Sequence, residues 1–106
     1  MNKVILMGRT TAEIDVKSLE NDKFVGNFTL AVRKNDKETN FIKCVAWNKI
    51  CRTISLYVKK GDMLSLEGEI KTSSYVKNDT TFYKTEVLVT QIHLIPNKEK
   101  KQQWKY

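Results

Sequence analysis

Apolar and polar residues alternate with a period of two along most of this chain, a pattern that predicts a protein built mainly of β-strands. The five predicted strands lie at residues 2–9, 24–34, 39–47, 62–75 and 82–95. Residues 10–23 are mostly polar, with turn-forming residues at positions 20–23, and residues 35–38 form another predicted turn. Residues 77–79 are predicted to form the tip of a hairpin between the last two strands.

One helix is predicted between the third and fourth strands, at residues 48–60, with Asn48 as its N-cap and Gly61 as its stop signal. Gly68 lies inside the fourth strand and predicts a bulge or a sharp bend, which allows a small sheet to curl on itself. Three strands, one helix and two strands in this order match an all-β, five-stranded Greek-key barrel of the OB type. We expect residues 1–96 to form this domain and residues 97–106 to form a short, basic, flexible tail.

The two faces of the third predicted strand differ in chemistry. Residues 42, 44 and 46 are Ile, Cys and Ala, which suit a core, whereas the opposite face carries Phe41, Lys43, Val45 and Trp47. Aromatic rings around a cation suit single-stranded nucleic acid, because bases stack on rings while cations hold phosphates. A sheet buried on both sides, with Lys43 reaching out to solvent, fits the same residues, and both interpretations stay open on this segment alone.

Composition favours a polyanionic partner, since the 106 residues carry 19 basic and 12 acidic side chains, a net charge of +7 and a pI near 9.5. No segment has the length of a membrane span or the flanks of a signal peptide, so we expect a cytoplasmic protein with no membrane partner. The cysteines Cys44 and Cys51 and the one histidine, His93, form no zinc signature. We expect Cys44 to pack in the core, Cys51 to lie on the helix face and His93 to be a partly exposed strand residue. Without a phosphate-binding glycine loop or a catalytic constellation, neither a cofactor nor an enzymatic activity is predicted.

An ordered set of segments resembles the bacterial and phage single-stranded DNA-binding proteins, over residues 1 to 95. The matching segments are NKVILMGR at 2–9, NFTLAV at 27–32, FIKCVAWNK at 41–49, YVKKGD at 57–62, LEGEIKT at 66–72 and YKTEV at 83–87. The resemblance implies an OB-fold that binds single-stranded DNA with little sequence preference in replication, recombination or repair. It also implies a homo-oligomer, most often a tetramer although a dimer is an alternative, in which the first strand helps to form an interface.

The resemblance also implies which residues bind DNA. Base stacking is expected at the positions of Phe41, Trp47 and Tyr75. Cations near the path of the DNA are expected at Lys3, Lys43, Lys49 and Lys71. Two further expectations come from the residues themselves: Glu67 and Glu69 pair with neighbouring cations, and Tyr57 packs on the helix face.

Two departures from the family pattern bear on function. The family often has an aromatic residue in the loop after the second strand, where this chain has Asp36, so one stacking platform is expected to be missing unless Tyr83 or a tail aromatic replaces it. This chain also ends at Tyr106 without an acidic tip that would recruit partner enzymes, as expected for a phage, plasmid or mobile-element form or a truncated chain. An adaptor that binds a primase, helicase or polymerase and touches DNA only weakly is the alternative function, and RNA binding also stays open.

Overall fold

A computed structural model of the protein describes residues 1–96, and these contain six strands and one helix. The elements are β1 (Val4–Thr10), β2 (Asp15–Ser18), β3 (Phe24–Arg33), β4 (Thr39–Trp47), α1 (Asn48–Tyr57), β5 (Met63–Lys77) and β6 (Thr80–Leu94). The predicted tail lies outside the described residues, so its flexibility stays a prediction. No helix within residues 1–96 is both long and apolar enough to span a membrane.

The strands form one sheet in the order β1-β5-β6-β4-β3-β2, and an additional pairing of β1 with β3 closes it on itself. β4 and β6 run parallel, with Cys44 opposite Val87, and the other strand pairs are antiparallel. Five long strands around a closed sheet, with the helix between the third and fourth of them, confirm the predicted OB-type architecture.

β2 is the one strand of residues 1–96 that was not predicted, and it corrects the prediction that residues 10–23 contain no strand. Its four residues are all exposed, and Val16 is the one apolar residue among them. The segment therefore has no apolar alternation that would reveal a strand from sequence. β2 forms because its backbone pairs with the beginning of β3, from Asp15 opposite Asn27 to Ser18 opposite Phe24. The turn between the two strands lies where it was predicted, with Asn21 and Asp22 at φ 62° and 57°.

The core lies inside the closed sheet and under α1. Its buried members are Phe28, Leu30, Cys44, Ala46, Cys51, Ile54, Val58, Leu64, Leu66, Val87 and Val89. Burial raises the pKa of the Cys44 thiol to about 12, and it also raises the pKa of Cys51, so both free thiols serve as core residues. The predicted irregularity at Gly68 is confirmed as a shift in the β5–β6 register between Glu67 and Gly68.

The helix begins at Asn48, as predicted, but its cap and its C-terminal end differ from the prediction. Trp47 is the N-cap residue, and no side chain caps the helix. Asn48 instead accepts a hydrogen bond through its Oδ1 from the Phe24 backbone N–H at 3.1 Å, which ties the helix to the start of β3. α1 ends at Tyr57, three residues before the predicted end, and the prediction that Tyr57 packs is wrong because 65% of its surface is exposed.

β5 and β6 continue beyond the core as a long hairpin. All residues from 71 to 85 are exposed, and we call this segment the arm. Its tip lies at the predicted place, with Asn78 and Asp79 in the left-handed region at φ 53° and 63°. The arm therefore holds its shape through cross-strand pairing and not through burial in the core.

Candidate functional site

The outer face of β4 carries the aromatic and basic residues that the sequence placed together. Ile42, Cys44 and Ala46 point towards the core, as predicted, so the intervening side chains point outwards. Phe41 is 67% exposed and Trp47 is 37% exposed, and Lys43 between them is also exposed. Val45 shares this parity but is buried, so the outer face is not one uninterrupted exposed row.

The strand register continues this outer face across β6 and β5. Lys71 lies opposite Glu86, Ser73 opposite Lys84, and Tyr75 opposite Phe82. Residues paired across antiparallel strands share a face, so all six side chains lie on one side of the hairpin. The rings of Tyr75 and Phe82 stack at a centroid distance of 5.4 Å, with 19° between their planes.

An open groove of about 910 Å³ lies at the fork where the arm diverges from β4. Its lining residues are Phe41, Ile42, Lys43, Ser73, Ser74, Tyr75, Tyr83, Lys84 and Thr85. The fold therefore brings together three of the seven predicted site residues, and Tyr75 lies more than thirty positions from Phe41 and Lys43 in the sequence.

The other four predicted residues lie outside this lining. Trp47 lies at the end of β4, opposite Val25 of β3, and Lys49 lies exposed at the start of α1. Lys71 lies at the base of the arm. The Nζ of Lys3 lies 3.0 Å from Oε1 of Glu67, so a carboxylate offsets much of its charge.

Glu67 is the centre of a small charged cluster on the outer face of β5. Besides the contact with Lys3, its Oε2 lies 3.4 Å from Nε2 of His93, so the predicted ion pairing is confirmed for Glu67. The same prediction is wrong for Glu69, which forms no ion pair within residues 1–96. The hydrogen bonds from Lys3 and then from His93 lower the pKa of the Glu67 carboxyl. Both pairs are exposed to solvent, where such contacts contribute little to stability.

A second, smaller groove of about 390 Å³ adjoins the first, since both are lined by Lys43 and Lys84. Its other lining residues include Asp15, Asn27 and Glu86 on the outer faces of β2, β3 and β6. Glu86 forms an ion pair with Lys84, with 3.4 Å between Oε2 and Nζ. The lining of this groove therefore carries charges of both signs.

Sequence reasoning named Tyr83 only as a replacement for the missing aromatic, and it did not single out Phe82. Tyr83 is 83% exposed and lines the large groove, although it lies on the face of the hairpin opposite to Tyr75. Phe82 lies beside Tyr75 only because of the hairpin register, which the position of the tip at Asn78 and Asp79 fixes. Counting outwards from that tip is the signal that could have found it.

The described part of the chain contains no group of three or more His, Cys, Asp or Glu side chains arranged to hold a metal ion. What the site offers instead is flat aromatic surface, ammonium groups and an open groove. These can hold a flexible, negatively charged ligand with flat, unsaturated rings.

The closed sheet, its helix and this outer face define a protein of the OB-fold class, whose members bind extended ligands across the same side of the sheet. Residues 1–95 match the model of the single-strand binding protein family, and the chain belongs to that family.

Individual relatives agree with this assignment. Single-stranded DNA-binding protein 2 of Streptococcus agalactiae serotype V is 35% identical over 103 residues, which span 92% of this chain and 79% of the relative. The single-stranded DNA-binding protein of Bacillus cereus is 35% identical over 102 residues, spanning 90% of this chain and 60% of the relative. The single-stranded DNA-binding protein of Enterococcus faecalis is 34% identical over 110 aligned positions, which span 97% of this chain and 58% of the relative. None of these names favours the adaptor alternative.

Proposed function

We propose that this protein binds single-stranded DNA with little sequence preference and protects it during replication, recombination or repair. Its role is to bind and cover the strand, not to catalyse a reaction on it. The observation that carries the proposal is the open groove in which Phe41, Lys43 and Tyr75 meet, in a chain that belongs to the single-strand binding protein family.

Exposed rings and lysines explain how such binding works without reading sequence. Each base stacked on an aromatic ring contributes ~1–3 kcal/mol, and every base has a flat face, so stacking tolerates any sequence. Lysine ammonium groups neutralise phosphates and release counterions. Base pairs in a duplex hide those flat faces inside the helix, and discrimination against duplex DNA follows from the same contacts.

The proposed binding residues extend beyond the groove along the outer face. Phe41, Trp47 and Tyr75 stack bases, while Lys3, Lys43, Lys49 and Lys71 contact phosphates. Among these lysines, Lys3 is expected to contribute least to DNA binding, because in the free protein it already forms an ion pair with Glu67. Tyr83 supplies the ring that the loop around Asp36 lacks, since it is highly exposed and lines the same groove as Phe41.

We further propose that the protein acts as a homo-oligomer. Val4 and Leu6 of β1 pack against the core, whereas Ile5 and Met7 on its outer face are 67% and 57% exposed. Neighbouring apolar side chains on one strand face are expected to be covered by a second copy of the chain. Several copies would present several stacking faces to one strand of DNA.

The test is a titration of the protein with oligo-dT at several salt concentrations, followed by tryptophan fluorescence. Because the chain has two tryptophans, the titration uses a Trp104→Phe variant in which only Trp47 reports. We expect quenching on binding and an affinity that falls with salt, with a log–log slope of about 0.7 for each phosphate contacted.

Duplex DNA and oligo-U of the same length serve as competitors. We expect duplex to compete at least 100-fold more weakly than oligo-dT, and the oligo-U result decides whether RNA is also a ligand. Equal affinity for duplex, or no binding of oligo-dT at low salt, would refute the proposal.

A further inference from the structure

We propose that Phe82 is a further base-contacting residue, and that Phe82 and Tyr75 act together as one two-ring platform on the arm. This inference rests on the proposed function. It goes beyond it by assigning a binding role to a residue that neither the sequence pattern nor the family resemblance pointed to.

The geometry of the pair is the first support. Tyr75 and Phe82 lie directly opposite each other on β5 and β6, and their rings stack at 5.4 Å with planes 19° apart. Each ring therefore covers one face of the other and leaves its second face free. Exposures of 53% for Tyr75 and 42% for Phe82 agree with two free faces, one on each ring.

The surroundings of the pair are the second support. Every residue of the arm is exposed, so the Phe82 ring has no place in the hydrophobic core. A solvent-exposed phenyl ring that contributes nothing to the core is well suited to contact a ligand. Lys84 lies two residues further along the same face of β6 and lines the groove, as does Tyr75, whereas Phe82 lies just outside that lining.

The platform changes how Tyr75 binds. Contact with Phe82 restricts the rotation of the Tyr75 ring, so less side-chain freedom is lost when a base stacks on it. A base on the free face of Tyr75 lengthens an existing stack, and the free face of Phe82 accepts another base. The arm thus presents two free ring faces, one on Tyr75 and one on Phe82.

The experiment compares affinity for oligo-dT with affinity for an abasic oligomer of the same length, which keeps the phosphates and lacks the bases. We expect Phe82→Ala and Phe82→Leu to weaken oligo-dT binding about tenfold, since a stacked base is lost and an aliphatic side chain cannot replace a flat ring. Phe82→Tyr should stay within about twofold of the parent, because it keeps the ring. Affinity for the abasic oligomer should stay within about twofold for all three variants.

Val76→Ala is the matched control, because Val76 is an exposed apolar residue of the same arm that faces the side opposite to Phe82. It should leave both affinities unchanged. In the double variant with Tyr75→Ala and Phe82→Ala, the loss should be smaller than the product of the two single losses, because the rings work as one unit.

Two results would overturn this inference while leaving the proposed function intact. One is unchanged oligo-dT affinity of Phe82→Ala. The other is an equal loss on the abasic oligomer, which would mean that the substitution only distorts the arm and its lysines. If the unsubstituted protein fails to bind oligo-dT, the proposed function fails and this inference fails with it.

Discussion

At the scale of single residues, side-chain alternation decides what faces the ligand. The alternation of residues 41–47 predicted which side chains face outwards, and Phe41, Lys43 and Trp47 do so. Val45 shows the limit of that argument, because parity gives the direction of a side chain but not what covers it. Exposure depends on neighbouring strands, which alternation within one strand does not describe.

Trp47→Ala tests the contribution of the most bulky ring on β4. We expect it to weaken single-stranded DNA binding by ~1–3 kcal/mol, because one stacked base is lost. Filter binding or fluorescence anisotropy of a labelled oligo-dT measures the change without using the tryptophan as a reporter.

Tyr57→Ala is the control for Trp47, since Tyr57 is an exposed aromatic residue at the C-terminal end of α1 and not on the outer face of β4. Its affinity should match that of the parent. A folded Trp47→Ala protein that binds as tightly as the parent would show that Trp47 does not contact DNA.

At the scale of elements, the two ends of α1 show how local signals compete with tertiary contacts. Asn48 has the chemistry of an N-cap, yet its side chain bonds to the start of β3. α1 ends early because Val58 adopts an extended conformation with φ −108° and ψ 124° and returns the chain to the core, where Val58 is buried. Neither feature can be read from propensity, because the Asn48 bond needs a strand distant in sequence and the burial of Val58 needs the assembled core.

Gly68→Ala tests the bulge in the β5–β6 pairing, where Thr90 of β6 has no partner on β5. A Cβ at this position would overlap the backbone carbonyl of Leu88, which is rigidly held in β6. We therefore expect a loss of unfolding free energy of about 2 kcal/mol, at the middle of the usual range for overpacking. Urea denaturation followed by circular dichroism measures it.

Ser55→Ala, at an exposed site on α1, should stay within ~0.5 kcal/mol of the parent and serves as the control for Gly68. A Gly68→Ala protein as stable as the parent would mean that the strands at the bulge move apart at little cost. The tight approach of β5 to β6 at this point would then not be needed for the fold.

At the scale of the whole molecule, closure of the sheet separates an inner core from an outer surface with two distinct regions. One is the aromatic and basic groove between β4 and the arm, and the other is the apolar outer face of β1. The two regions lie on different strands, so we expect the proposed assembly through β1 to leave the groove open. Oligomerisation and DNA binding are therefore expected to be separable by substitution.

Ile5→Asp combined with Met7→Asp tests this separation. We expect the parent to be an oligomer in light scattering, and we expect the double variant to shift to monomer, because two buried carboxylates oppose an apolar interface. Val16→Asp, at a partly exposed apolar residue of β2, should keep the parent mass. A parent that is monomeric, or a double variant with unchanged mass, would contradict assembly through β1.

The sequence by itself determined the strand-rich class, the position of the helix, three turns and the two faces of β4, because these follow from periodicity and from residues with fixed turn preferences. Only the tertiary structure decided that β2 is a strand, that Tyr75, Phe41 and Lys43 meet at one groove, and that Phe82 stacks on Tyr75. The physical reason is that these features depend on register and closure between distant segments. Alternation fixes which way a side chain points, whereas pairing between strands fixes what it meets.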